Sequence, residues 1–155
     1  MLRAASGIAL GYVVMAFFVF ATFSLAFLAL GADRSFQPGT YEVSEVWAFL
    51  SILLGIGAAI VGGFLCAAVS RSKSAPLVLA ALVLLLGIVG AVLMPPSGDL
   101  APQPRPGNVG NFEAMQNAST PPWIVWLNPF LGAAGVLAGA HLRSRTIPTI
   151  PRISS

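Results

Sequence analysis

The chain has 155 residues, of which 57% are hydrophobic and only 8% are charged. A water-soluble domain carries about 25% charged residues, so a solvated globule is excluded and lipid is the natural solvent. The formal net charge of +3 does not point to nucleic acid, because Lys and Arg flank apolar runs, where they face lipid headgroups.

Four runs are apolar and free of Asp, Glu, Lys and Arg: Ile8–Leu30, Val46–Val69, Leu77–Met94 and Trp123–Leu142. Crossing about 30 Å of hydrocarbon takes roughly 20 helical residues. With flanking residues included, the expected spans are 8–30, 46–69, 76–94 and 122–142. A soluble bundle would need polar faces at helical spacing, and these runs lack them. The first run follows Arg3 and ends near the small residues Ala29-Leu30-Gly31, as a signal peptide would. It is longer than the about 7–15 residues of a signal core, so it reads as an uncleaved first span. The expected fold is an all-α integral membrane protein. It is an antiparallel bundle of four transmembrane helices over residues 1–143, followed by a flexible tail, 144–155.

Orientation follows from charge. Lys and Arg gather on the cytoplasmic side. An inside N-terminus puts Arg3, Arg71, Lys73, Arg143, Arg145 and Arg152 inside, and only Arg34 and Arg105 outside. Both termini are therefore expected to be cytoplasmic, in the inner membrane if the host is bacterial. Trp47, Trp123 and Trp126 then fall at the outer face, as interfacial tryptophans do.

Loop one, 31–45, turns at Pro38-Gly39, and Glu42 and Glu45 approach the start of the second span, where negative charge is favourable. Loop two, 70–76, is a tight basic connection, so the second and third spans are expected to be antiparallel neighbours. Loop three, 95–122, is long and extracytoplasmic. Its first half is rich in Pro and cannot form a regular helix. Its second half offers Asn111 as a cap, Glu113 in a first turn, and Phe112 and Met115 on one face. A short interfacial helix is expected there, with Thr120 capping the fourth span and Pro121 at its first position. Phe112, Glu113 and Met115 are the candidate contacts of this loop.

Within lipid, helices associate through small residues and interhelical hydrogen bonds. The candidate packing positions are Gly55, Ala59, Gly63 and Ala67 in the second span and Gly132, Gly135 and Gly139 in the fourth. Gly7, Gly11, Gly87 and Ala91 serve the other two. Asn128 lies four residues before Gly132 and is expected to face protein. Ser24 and Ser51 stand at similar depth, so a polar layer of Ser24, Ser51 and Asn128 is expected, as interhelical glue or as a ligand site.

Much chemistry is missing. One cysteine, Cys66, excludes an intramolecular disulfide. One histidine, His141, stands near the same end of the bundle, but Cys66 and His141 without an acid make a poor metal site or dyad. No ionisable residue lies deep in a span, where ion-coupled transporters carry one. An enzyme would have to gather acids from Glu42, Glu45, Asp99 and Glu113. Asn117-Ala118-Ser119 matches a glycosylation sequon that matters only in a eukaryotic secretory host. No catalytic residue, metal ligand or cofactor is expected. The expected role is a non-enzymatic accessory or structural subunit acting through helix packing and loop three. Its partners would be the bilayer and another membrane protein or a second copy, with no nucleic acid. The alternative is a small transport or permeation protein, monomeric or oligomeric, using the polar layer.

Overall fold

Uninterrupted apolar sequence, with no proline between Leu2 and Leu30 and no charge after Arg3, lets the first helix run its full length. The computed structural model describes residues 2–93, 104–107 and 109–146. The first half of loop three and the end of the tail lie outside the described residues. The elements are α1 (Leu2–Leu30), α2 (Ala32–Ser35), α3 (Glu45–Ser70), α4 (Ala75–Leu93), α5 (Asn111–Asn117) and α6 (Pro122–Arg145). Four of them, α1, α3, α4 and α6, are long and apolar enough to cross a membrane.

Local chemistry sets the boundaries. Gly31, at φ +74, breaks the chain out of α1. Ser44 caps α3, its Oγ accepting the Trp47 N–H at 3.1 Å, and Glu45 occupies the first turn. Thr120 does not cap α6. Helix α6 starts at Pro122, and Pro121 precedes it with φ −55 and ψ 141. A residue before proline is driven out of the α region, so Pro121 is extended and the helix begins one position later than expected. Asn111 likewise opens α5 rather than capping it; the cap position is Gly110.

The most intimate pair is α3 with α6, and these two run the same way. A Cβ on Gly63 would collide with the Val136 carbonyl, and one on Gly139 with the Ile60 carbonyl. A Cβ on Gly135 would stand 2.7 Å from the Ala59 Cβ. Rising numbers on α3 therefore meet rising numbers on α6, backbone on backbone. Such contacts maximise dispersion and Cα–H···O attraction where lipid supplies no hydrophobic drive. On the other side of α3, α1 packs antiparallel: a Cβ on Gly11 would lie 2.8 Å from the Gly62 carbonyl, and one on Gly7 2.7 Å from the Ser70 Cβ. Helix α4 lies against α6, where Pro129 seats on Gly87 and Gly132 faces Val83. The expected α3–α4 neighbours touch far less than α3 and α6 do. A four-residue loop joins them, but the glycine faces draw α3 to α6.

Not every small residue serves packing. Gly55 has open space where a Cβ would point. Ala67 is half-buried, and its carbonyl accepts the Arg71 N–H at 3.3 Å. The bundle core consists of Ala59, Cys66, Ala75, Leu79, Ala80 and Val136.

Gly63→Ala and Gly139→Ala are each expected to push α3 and α6 apart, at the cost of about 1–3 kcal/mol that overpacking carries. Gly55→Ala is expected to leave stability unchanged or raise it slightly, since Ala is the better helix former. Thermal unfolding of the three variants in one detergent checks this; equal shifts would contradict the assigned interface.

Candidate functional site

Loop one and loop three fold together into a cap over one end of the bundle. In loop one, the Pro38-Gly39 turn is closed by the Thr40 N–H on the Gln37 carbonyl at 3.2 Å. Phe36 and Val43 pair across it. Ser44 Oγ donates to the Arg34 carbonyl at 2.6 Å, and Ser35 Oγ to the Gly31 carbonyl at 2.8 Å. Loop three is laced onto this hairpin through backbone. The Arg105 N–H donates to Gly39 at 2.9 Å, the Ser119 N–H to Tyr41 at 2.9 Å, and the Val43 N–H to Ser119 at 3.1 Å.

Side chains reinforce the lacing. The Arg105 side chain is only 4% exposed. Its guanidinium stands 5.8 Å from the Phe36 ring centroid and donates to the Gly107 carbonyl and to Asp33 Oδ1, both at 2.9 Å. Asp33 is open to solvent, so the ion pair is screened and weak. Stacking on Phe36 and burial of the stem hold Arg105 in place. The Tyr41 hydroxyl donates to Glu113 Oε1 at 2.7 Å, tying the hairpin to α5. Asn111 Nδ2 donates to Ser24 Oγ at 3.1 Å, tying α5 to α1.

Beneath α5 lies a half-open cleft of about 240 Å³. Its walls are Phe23, Phe27, Phe36, Val43 and Trp47 on one side and Asn111, Ala114, Met115, Ala118 and Thr120 on the other. The aromatic wall is a chain of edge-to-face contacts: Trp47 with Phe23 at 5.9 Å and with Phe27 at 6.1 Å, Phe27 with Phe36 at 6.2 Å, and Phe36 with Tyr41 at 5.7 Å. Helix α5 buries Ala114, 3% exposed, and leaves Phe112 at 72% and Met115 at 48%. Met115 thus forms the cleft's rim and Phe112 projects beyond it. No lining residue carries a charge, so the cleft suits an apolar group. Asn111 and Thr120 are its polar side chains, and Asn111 Oδ1 is buried with no hydrogen-bond partner.

The expected polar layer is not assembled. Ser24 is engaged by Asn111. Ser51 donates back to the Ala48 carbonyl of its own helix at 2.8 Å. Asn128 is exposed on α6. The layer needed α1 beside α6, and α3 lies between them. Of the packing candidates, Ala59, Gly63, Gly135 and Gly139 meet at the α3–α6 contact, Gly132 turns to α4, and Gly55 faces open space. Cys66 is sealed against α1 while His141 is exposed, so the two do not form a pair. Glu42, Glu45 and Glu113 are dispersed over the cap, and Asp99 lies outside the described residues. Among the described residues, no three of His, Cys, Asp and Glu gather as a metal site would require. Trp123 and Trp126 are exposed, but Trp47, expected as an interfacial residue, is drawn into the aromatic wall.

Sequence reasoning missed Arg105 and Tyr41. The signal available was modest: an isolated Arg among prolines, and a Tyr five residues after Phe36 across a Pro-Gly turn. Spacing within one loop cannot reveal partners lying 72 residues apart.

Glu113 accepting the Tyr41 hydroxyl raises the Tyr41 pKa above its ordinary value of 10.0; burial and the Glu113 charge act the same way, and Arg105 opposes them. The tie is therefore intact below pH 10 and is lost as pH rises through the raised value. In a Tyr12→Phe background, absorbance titration of the remaining tyrosine is expected to show this elevation. Glu113→Gln is expected to bring it back toward 10. An unchanged titration in the Gln variant would remove the tie.

Comparison with known proteins finds no matching family model, no similar curated protein and no similar solved structure.

Proposed function

We infer that the protein is a non-enzymatic subunit of a membrane assembly, which it joins through its cap. The cap is taken to lie on the extracytoplasmic side with both termini cytoplasmic, as the distribution of Lys and Arg favours. The observation that carries this reading is the contrast within α5. Its Ala114 is buried and its Glu113 and Asn111 are tied to the rest of the protein, while Phe112 and Met115 are presented outward. Large apolar side chains on a well-anchored element are the usual centre of a binding surface. The cleft beside them offers an apolar side chain of the partner a seat among Phe23, Phe27 and Trp47. Glu113 adds a polar rim.

A transport role draws no support from the geometry. It depended on Ser24, Ser51 and Asn128 meeting inside the bundle, and these residues are separated.

Crosslinking in the native membrane followed by affinity purification of the tagged chain tests the proposal. A defined membrane-protein partner is expected. Phe112→Ala with Met115→Ala is expected to reduce its recovery at least tenfold, since exposed apolar anchors carry about 1–2 kcal/mol each. Phe112 is largely exposed and Met115 about half exposed at the cleft rim, so the unfolding temperature should fall little. An unchanged partner list would overturn the role of the cap.

A further inference from the structure

We propose that the bundle end opposite the cap binds the headgroup of an anionic phospholipid, with Arg3, Arg71 and Lys73 as its phosphate contacts. The contact of Gly7 with Ser70 places the start of α1 beside the loop from Arg71 to Ser74. Arg3 lies one turn before Gly7, on the same stripe of α1. Three cations from two segments are thereby brought to one corner, and all three are exposed. Among the described residues none of them forms an ion pair; the pair present is Arg105 with Asp33, in the cap. The acids in the described residues, Asp33, Glu42, Glu45 and Glu113, all belong to the cap. Among the described residues, the corner thus has positive charge with no acid beside it.

Two further observations shape the ligand. Arg71 sits at φ +50, the one left-handed non-glycine among the described residues. Helices commonly end there on Gly, which is free of strain; a charged side chain is held at the helix end despite the conformational cost. Immediately inward, Val69, Leu77 and Val78 are exposed. These side chains continue the apolar, lipid-facing surface of the spans, so a ligand at this corner meets cations and apolar surface together. A phospholipid accounts for both, its acyl chains lying on that surface and its phosphate meeting the cations. Arg143 is not assigned to the corner, because its guanidinium is turned onto the Phe64 ring of α3, 5.8 Å away.

Native mass spectrometry of the full chain released from detergent tests this, with phosphatidylglycerol and phosphatidylcholine as competing probes and inorganic phosphate as a third arm. The wild-type chain is expected to retain phosphatidylglycerol in preference to phosphatidylcholine. The preference should fall about fivefold for each cation removed in Arg71→Gln and Lys73→Gln, and inorganic phosphate should not displace the lipid. Helical circular dichroism of both variants should match wild type, because both side chains are exposed; Lys73→Gln, which leaves the left-handed position untouched, carries the test if Arg71→Gln does not fold. No preference in the wild type, a preference surviving both substitutions, or full displacement by inorganic phosphate would each overturn the proposal.

Discussion

The approach of α3 to α6 is the constraint on which the rest of the structure depends. Lipid is as apolar as leucine, so these helices gain little by hiding hydrophobic surface from it. They gain by close packing, and packing this close requires the Cβ to be absent. Gly63 and Gly139 each remove one at the point where the opposing backbone carbonyl arrives. Once the two helices are joined along this line, the other spans have defined places. Helix α1 takes the Gly62 face of α3, and α4 takes the Gly132 and Pro129 face of α6. Because α3 and α6 run the same way, both begin at the cap. Their first turns supply Trp47 and Ile124 to its aromatic and aliphatic core.

The molecule is held together by two different kinds of chemistry. The bundle core is made of Ala, Cys, Leu and Val, with glycines at the crossings. The cap core is Phe27, Phe36, Tyr41, Val43, Val109 and Ile124, fastened by backbone bridges and a buried arginine. The cap is therefore built like a small soluble domain, in which apolar burial and polar ties between loops cooperate. Its lone cleft-forming helix is short, and a helix of that length is stable only through its tertiary contacts. Ala114, Tyr41 with Glu113, and Asn111 with Ser24 supply them. This dependence explains how α5 can present Phe112 and Met115 without folding back over them.

How far the sequence revealed this follows from the range of each signal. The four spans were legible because hydropathy over twenty residues is a local property; the termini moved by a few residues, most at α1 and at the last turn of α6. The short helix at Asn111 was legible through Glu113 and the Phe112/Met115 spacing. Helix pairing was not, because small-residue stripes mark a face without naming its neighbour. Gly55 continues the Ala59–Gly63 stripe yet has open space where a Cβ would point, and Asn128 continues the Gly132 stripe yet is exposed. Both lie near the cap end, where the described contacts of α3 and α6 have moved off this line. The cap ties were invisible for a related reason. Arg105 and Asp33, or Glu113 and Tyr41, meet only because two loops from distant parts of the chain share one end of the bundle.

The central claim is that α3 and α6 lie backbone against backbone in the membrane. Disulfide formation between Ala59→Cys and Gly135→Cys, in a Cys66→Ser background and in native membranes, tests it most directly. The two Cβ positions stand within 2.7 Å, so the helices need give by only about 1 Å to reach disulfide geometry. The account predicts rapid, near-complete crosslinking under mild oxidation, and none when Leu53→Cys, on an exposed part of α3, replaces Ala59→Cys. Absence of the 59–135 crosslink, or equal crosslinking of both pairs, would contradict it.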